Sequence, residues 1–343
     1  MPLLAVHFDT SVVNFLLKKD KEGAEFYTFP YVYSKSTLSN QLSEADFYKK
    51  LIDKFLTGRG VKFSACDIVV SGFVNLPKLN FEPKLSVGVN DLIHNSEDMV
   101  PIFVDNFSVF TKDTISSSKQ FLSDLKLSTE NAKDFGEYDY YANLTVYPQT
   151  ISDDISTQSQ LDENIFKQAP SDLKVETGRK IIFTGGRFTQ YTSNEELSYI
   201  LMLSLLKGVG AYTVFLDKKN AFSLYQTAKM YDKDLQIILE DYVESIGTII
   251  KTGGSVECLL KGEVGEGRFF EIEKDKILVI PLDPSSHTTL NVKNNLLGSL
   301  EIPVKGGEVG LIFDTRDSNS NIYSNMKMFN ECVKQFGDAL EGK

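Results

Sequence analysis

The sequence predicts a mixed α/β protein whose carboxy-terminal part is rich in β-structure, and three observations predict it. Short runs of β-branched and aromatic residues alternate with stretches of helical periodicity over the first two thirds of the chain. Lys180-Ile-Ile-Phe-Thr-Gly-Gly186 is a strand that ends in paired glycines, and a helical pattern and then a second strand follow it, which is the βα succession of a layered fold. From Gly247 onward, glycines punctuate short strand-like runs.

Taken in order, Leu3 to Phe8 reads as a first strand, and Val12-Val13-Asn-Phe-Leu-Leu17 and Glu25-Phe-Tyr-Thr-Phe29 as a hairpin-like pair around the charged stretch 18–23. Ser43 precedes Asp46 by three residues and starts a helix. Its face is marked by Phe47, Leu51 and Phe55, and Gly58-Arg-Gly60 ends it. Asp67-Ile-Val-Val-Ser-Gly72 is the next strand, 75–83 is loop, Leu92-Ile93 sits near a loop, and Ile102-Phe-Val-Asp105 is a short strand ending in a carboxylate. The polar stretches 111–136 and 152–170 read as surface insertions, the second with a short helix near 161–167. After Gly185-Gly186, Asn194 caps a helix with a broad apolar face from Leu197 to Leu206, and Tyr212-Thr-Val-Phe-Leu216 is a strand. A further helix is expected over 233–245 on the spacing of Leu235, Ile238, Leu239, Tyr242 and Val243. Strands then recur to Phe313, and a closing helix over 322–340 carries Met326, Phe329, Val333, Phe336 and Leu340.

A chain of 343 residues is long for one core, and four parts are expected: 1–110, 111–247, a β-rich module at 248–317, and a terminal helix at 318–343. The apolar fraction of 42% fits a globular chain. A net charge of −11 with no dense basic run argues against a nucleic-acid footprint. No apolar stretch is long enough for a transmembrane segment, and the opening residues carry no basic leader. Three scattered cysteines, Cys66, Cys258 and Cys332, suit a reducing compartment, so a cytoplasmic location is expected; the sequons at Asn106 and Asn143 are discounted accordingly.

The P-loop, the dinucleotide turn, the paired-histidine zinc motif and the nucleophile elbow are all absent. His7, His94 and His287 lie far apart, and His7, inside a strand, reads as a core histidine. Asp9 and Asp105 follow strands, as Gly185-Gly186 does. Carboxylates at strand ends can order a hydrated Mg²⁺ beside phosphates, and glycines let backbone approach a ribose or base. The plainer reading is of turn residues and a tight βα corner. Arg187 is a candidate anion contact, whereas Arg316, flanked by Asp314 and Asp317, reads more simply as an internal ion pair.

Several of these segments carry a resemblance. Ile181-Ile-Phe-Thr-Gly-Gly186, Thr213-Val-Phe-Leu-Asp217, Gly262-Glu-Val-Gly265 with Gly267, Gly306-Gly-Glu-Val-Gly-Leu-Ile-Phe-Asp-Thr-Arg316 and Tyr147-Pro-Gln149 together resemble the glutamate mutase L (MutL-like) family of the actin-like ATPase superfamily, over about 145–317. The resemblance implies a duplicated actin-like, ribonuclease H-like core with ATP and Mg²⁺ between two lobes. Asp9 and Asp105 would be the catalytic and metal-binding carboxylates, and Thr10, Ser11, Gly185 and Gly186 would contact the cofactor, joined by Arg187 on the strength of its own position directly after the glycines. The sequence departs from the family where it matters. The phosphate turns of that superfamily carry Asp-x-Gly, but here Ser11 and Phe107 stand at the glycine positions. Either a weak nucleotide site survives, or the chain binds no cofactor and works as a scaffold. A protein partner is expected in both cases, as glutamate mutase L proteins are associated with B12-dependent mutases and resemble reactivation factors. Self-association is a further expectation.

Overall fold

The computed structural model describes residues 1–9, 12–19, 23–29, 43–72, 76–96, 98–105, 108–112, 154–169, 175, 177–191, 194–261, 267–317 and 320–341. Thr10, Ser11, Asn106, Phe107, the stretch 113–153 and the glycine-rich 262–266 lie outside them. So do both sequon asparagines, the Tyr147-Pro-Gln149 match and nearly all of the first polar insertion.

The first sheet has the strand order β3-β2-β1-β4-β5, built from β1 (Leu3–Phe8), β2 (Val13–Lys18), β3 (Ala24–Phe29), β4 (Asp67–Gly72) and β5 (Leu85–Gly88). β2 runs antiparallel to β1 and to β3, while β4 and β5 run parallel to β1. β1 is apolar on both faces because both are covered. Leu4, Val6 and Phe8 meet helix α1 (Glu44–Thr57), whereas Leu3 and Ala5 join a cluster on the opposite face. Ser43 caps α1 by accepting from the Asp46 N–H, and Gly58 ends it, as the spacing predicts. The buried stripe of α1 is Tyr48, Ile52 and Leu56, however, one residue round from the expected Phe47, Leu51 and Phe55. Those three are half-buried on its flank. The Leu92-Ile93 stretch belongs to a short helix, α2 (Val89–His94), rather than a loop; Val89, Leu92 and Ile93 share one apolar face, which the first sheet buries.

The second sheet has the order β13-β16-β10-β9-β8-β6-β7. Its strands are β6 (Val100–Val104), β7 (Val109–Phe110), β8 (Lys180–Thr184), β9 (Gly210–Leu216), β10 (Glu244–Lys251), β13 (Ile277–Ile280) and β16 (Gly310–Asp314). Within it, β7-β6-β8-β9 repeats the neighbour relations of β2-β1-β4-β5: one antiparallel pair, then two parallel ones. One face carries α3 (Ile155–Gln168), α4 (Glu195–Leu205) and the carboxy-terminal α6 (Met326–Glu341). The second polar stretch therefore holds a full helix, capped by the Asp154 carboxylate on the Thr157 N–H.

Helix α5 (Ala221–Tyr231) covers the other face. It is buried without a break from Ala221 to Ala228, because it lies between the two sheets, with β1, β2 and β4 on one side and β9 on the other. The helix expected over 233–245 is absent: Leu239–Asp241 forms a single 3₁₀ turn, Ile238 is 68% exposed, and Glu244 already pairs with Leu216 as β10 begins. Ladder pairing with β9 overrides the local helical spacing. The stretch 248–317 does not form one sheet either. β11 (Val256–Leu260), β12 (Arg268–Ile272), β14 (His287–Asn294) and β15 (Gly298–Lys305) make a four-stranded antiparallel sheet, while β10, β13 and β16 extend the second sheet beneath it. The fold is thus α/β with mixed sheets.

Candidate functional site

The carboxyl ends of β1, β6, β8 and β9 meet where the two sheets approach each other. Asp9 follows β1, is 7% exposed, and its N–H donates to the Val12 carbonyl across the start of the hairpin. Asn220, just before α5, adopts a left-handed conformation (φ 52°, ψ 30°) that asparagine tolerates better than most residues. That conformation aims its amide across the seam: Nδ2 donates to Asp9 Oδ2 at 2.6 Å and to Asn14 Oδ1 at 3.0 Å. Asn14 answers by donating to the Lys219 carbonyl at 3.0 Å and to Thr28 Oγ1 at 2.9 Å. Asn14 and Asn220 are both fully buried, so these bonds satisfy groups that water cannot reach.

Asp217 anchors the other side. Its carboxylate accepts from the N–H groups of Lys219, Ala221 and Phe222 and from Thr184 Oγ1, at 2.9 to 3.0 Å. An acid at the amino end of α5 gathers amides that have no partner within the helix and faces the positive end of its dipole. Burial raises the Asp217 carboxyl above its ordinary range, against the pull of those donors. Thr184 in turn lies 3.5 Å from Asn220 Oδ1, which links the end of β8 to the Asn220–Asp9 contact.

Gly185 follows Thr184 at φ +112° and lies directly against the end of β6. A Cβ there would stand 2.5 Å from the Val104 carbonyl oxygen. The Arg187 N–H donates to that same oxygen, and Asp105 is the next residue along, 5% exposed, its N–H bonded to the Ser108 carbonyl. Asp9, Asp105, Gly185 and Gly186 therefore belong to one region, joined through Asn220, Thr184 and Val104.

Arg187 is directed elsewhere. It is fully buried, with Nε and Nη2 on Asp162 Oδ1 at 2.8 and 2.7 Å and the guanidinium 4.4 Å from the centre of the Tyr191 ring. The Tyr191 hydroxyl donates to the same Asp162 oxygen at 2.6 Å. Burial works against the Arg187 charge, but Asp162 and Tyr191 outweigh it and hold the guanidinium protonated. As placed, it fastens α3 to the second sheet. Arg316 is also internal: it grips Asp314 with two bonds of 2.8 Å, and Lys251 completes a buried triad at 2.9 Å from the same carboxylate. This is the ion pair the sequence reading favours for Arg316.

His7 lies in the body of β1 on the face turned toward α5. It is fully buried, with Nδ1 3.0 Å from Ser71 Oγ and no hydrogen-bond partner for Nε2 among the described residues. Desolvation lowers its pKa to about 3, so the ring is neutral.

Asp9 Oδ2 accepts from the Asn220 amide, and among the described residues no group of three or more His, Cys, Asp and Glu side chains is disposed to hold a metal. The Gly185 corner is filled by the Val104 backbone. Asp217, Asn220 and Asn14 were missed as members of the site. The Asp217-Lys-Lys-Asn220 run after a strand is the signal that could have found the first two, because Asp and Asn gather at helix starts.

No protein-family model matches the chain, and no functionally curated protein matches it. Among solved structures it is similar to a ROK family protein from Streptococcus pneumoniae in complex with sucrose, at 8% identity and TM-score 0.34, over 68% of this chain and 100% of that one. It is also similar to the ethanolamine utilization protein EutJ from Carboxydothermus hydrogenoformans, at 9% identity and TM-score 0.31, over 66% and 89%. A Ppx/GppA family member from Aquifex aeolicus follows at 9% identity and TM-score 0.23, over 55% and 67%. Scores this low carry no structural argument, and the fold described above rests on strand order and register. Among the described residues no helix is long and apolar enough to cross a membrane.

Proposed function

We propose that the chain is a two-lobed accessory protein of actin-like architecture that has lost the ATPase reaction and serves a protein partner in the cytoplasm. The architecture is read from the repeated neighbour pattern of the two sheets, with the ends of β1, β6 and β8 at the seam between them. The observation that carries the loss of chemistry is the 2.6 Å bond from Asn220 to Asp9. An acid that must order a hydrated magnesium ion beside a phosphate is here the acceptor of an inter-lobe clasp. The substitutions Ser11 and Phe107 at the phosphate turns, where a glycine backbone would wrap the phosphate, act in the same direction. The three cysteines are all free, in keeping with a reducing compartment.

The competing reading is a slow Mg²⁺-dependent ATPase with a reactivation role, and one measurement separates the two. The purified chain is expected to show no Mg²⁺-dependent ATP turnover above that of Asp9→Ala and Asp105→Ala. Turnover that both substitutions abolish would overturn the proposal. A rise in melting temperature with ATP and Mg²⁺, in the absence of turnover, would leave a nucleotide-binding pseudoenzyme.

A further inference from the structure

On the outward face of the first sheet, away from the seam, a groove of about 310 Å³ opens between β3 and the carboxy-terminal half of α1. Its floor and walls are Phe15, Tyr27, Phe29, Leu51 and Phe55, with the Phe15 and Phe55 rings stacked at 4.4 Å. Leu51 and Phe55 belong to the apolar stripe that the sequence marks on α1 and that the core leaves half-covered. Arg59 lies flat across this surface, its guanidinium 3.8 Å from the centre of the Tyr27 ring and 3.9 Å from that of Phe55.

Among the described residues that guanidinium makes one hydrogen bond, to the Phe55 carbonyl at 3.3 Å, and one long contact, 4.0 Å, to Glu25. Its Nε, the atom facing Glu25, is buried and makes no hydrogen bond there, so a ligand would meet the terminal guanidinium nitrogens. Lys54, exposed on the rim, adds a second cation. On a chain of net charge −11, an aromatic groove carrying two cations selects for a carboxylate attached to an apolar body.

The backbone beside the groove selects the form of the ligand. β3 is the edge of its sheet, paired with β2 among the described residues. The Ala24 carbonyl accepts from the Tyr242 hydroxyl and so points away from β2. Strand alternation then directs the amide groups of Phe26 and Thr28 to that same outer side, next to the groove. A strand added there places every second side chain over the α1 face.

We propose that this groove docks an extended segment of a partner protein, added alongside β3, with an apolar side chain on the aromatic floor and a carboxylate two residues away at Arg59. The docking does not depend on whether the seam binds nucleotide.

The test uses the full chain and three fluorescein-labelled pentapeptides: Thr-Phe-Thr-Glu-Thr, the same peptide with Lys for Glu, and the acidic peptide N-methylated at alternate residues. Anisotropy titrations are expected to show saturable binding of the first peptide alone. Arg59→Glu and, as a milder exposed variant, Lys54→Glu should each weaken it, the former about tenfold or more, with melting temperatures showing that both variants fold. No binding of the acidic peptide, equal binding of the basic one, insensitivity to both substitutions, or tolerance of N-methylation would each overturn the proposal.

Discussion

His7 offers a direct measurement of how dry the space between the first sheet and α5 is. The imidazole is fully buried and its pKa falls from 6.5 to about 3 through loss of water. A histidine whose folded pKa is depressed takes up its proton more readily in the unfolded chain. Stability is therefore at its full value above the unfolded pKa of 6.5 and falls as the pH drops toward 3. The complete gap corresponds to about 5 kcal/mol, of which about 2 kcal/mol is lost between pH 7 and pH 5. Burial raises Asp162 and Asp217, which runs in the opposite sense, so the raw curve of the protein mixes the two effects. His7→Leu isolates the first: it removes the titrating ring, keeps the site apolar, and leaves Ser71 with a penalty that does not vary with pH. Urea unfolding at a series of pH values should give a wild-type minus variant difference that shrinks by about 2 kcal/mol on going from pH 7 to pH 5. A flat difference would show that water or a hydrogen-bonding partner reaches Nε2, and the account of a dry seam would fail.

The buried pair of Arg187 and Asp162 should respond asymmetrically. Arg187→Ala strands a carboxylate in the core and is expected to cost about 3–5 kcal/mol, whereas Arg187→Met combined with Asp162→Leu should recover most of it, as read by denaturant midpoints. A double variant no better than the single one would assign the pair a role other than mutual neutralisation. Gly185→Ala forces a Cβ toward the Val104 carbonyl in a backbone conformation that suits glycine, at an expected cost of about 1–3 kcal/mol in thermal or urea unfolding. An unchanged melting temperature would mean that the corner between β6 and β8 is looser than described.

The elements visible in the sequence are those whose causes are local. The opening hairpin, the Ser43 cap, the Gly58 stop and the strand into Gly185-Gly186 all depend on neighbours within a few residues. Helix α5 had no comparable signature, since burial on all sides removes the contrast between faces that periodicity reads. The segment 233–245 had the contrast and lost to ladder pairing. The carboxy-terminal strands were legible as strands but not in their division between two sheets, because β10 reaches β16 across the whole meander that separates them. At the seam, the acids and glycines at strand ends could be picked out, while their partners could not. Asn220 meets Asp9 across 211 residues of chain, and Arg187 meets Asp162 across 25. No spacing rule reaches that far.

Helix α5 has a mechanical consequence. It leaves the second sheet at Asp217 yet buries Phe222, Leu224 and Ala228 in the cluster that also holds Leu3, Ala5, Leu16 and Val69 of the first. The boundary between the two halves is apolar along its length, with amide bonds at its rim. The two halves are thereby glued into one block. A chain cut between β5 and β6 would yield two fragments that each bare an oily flank.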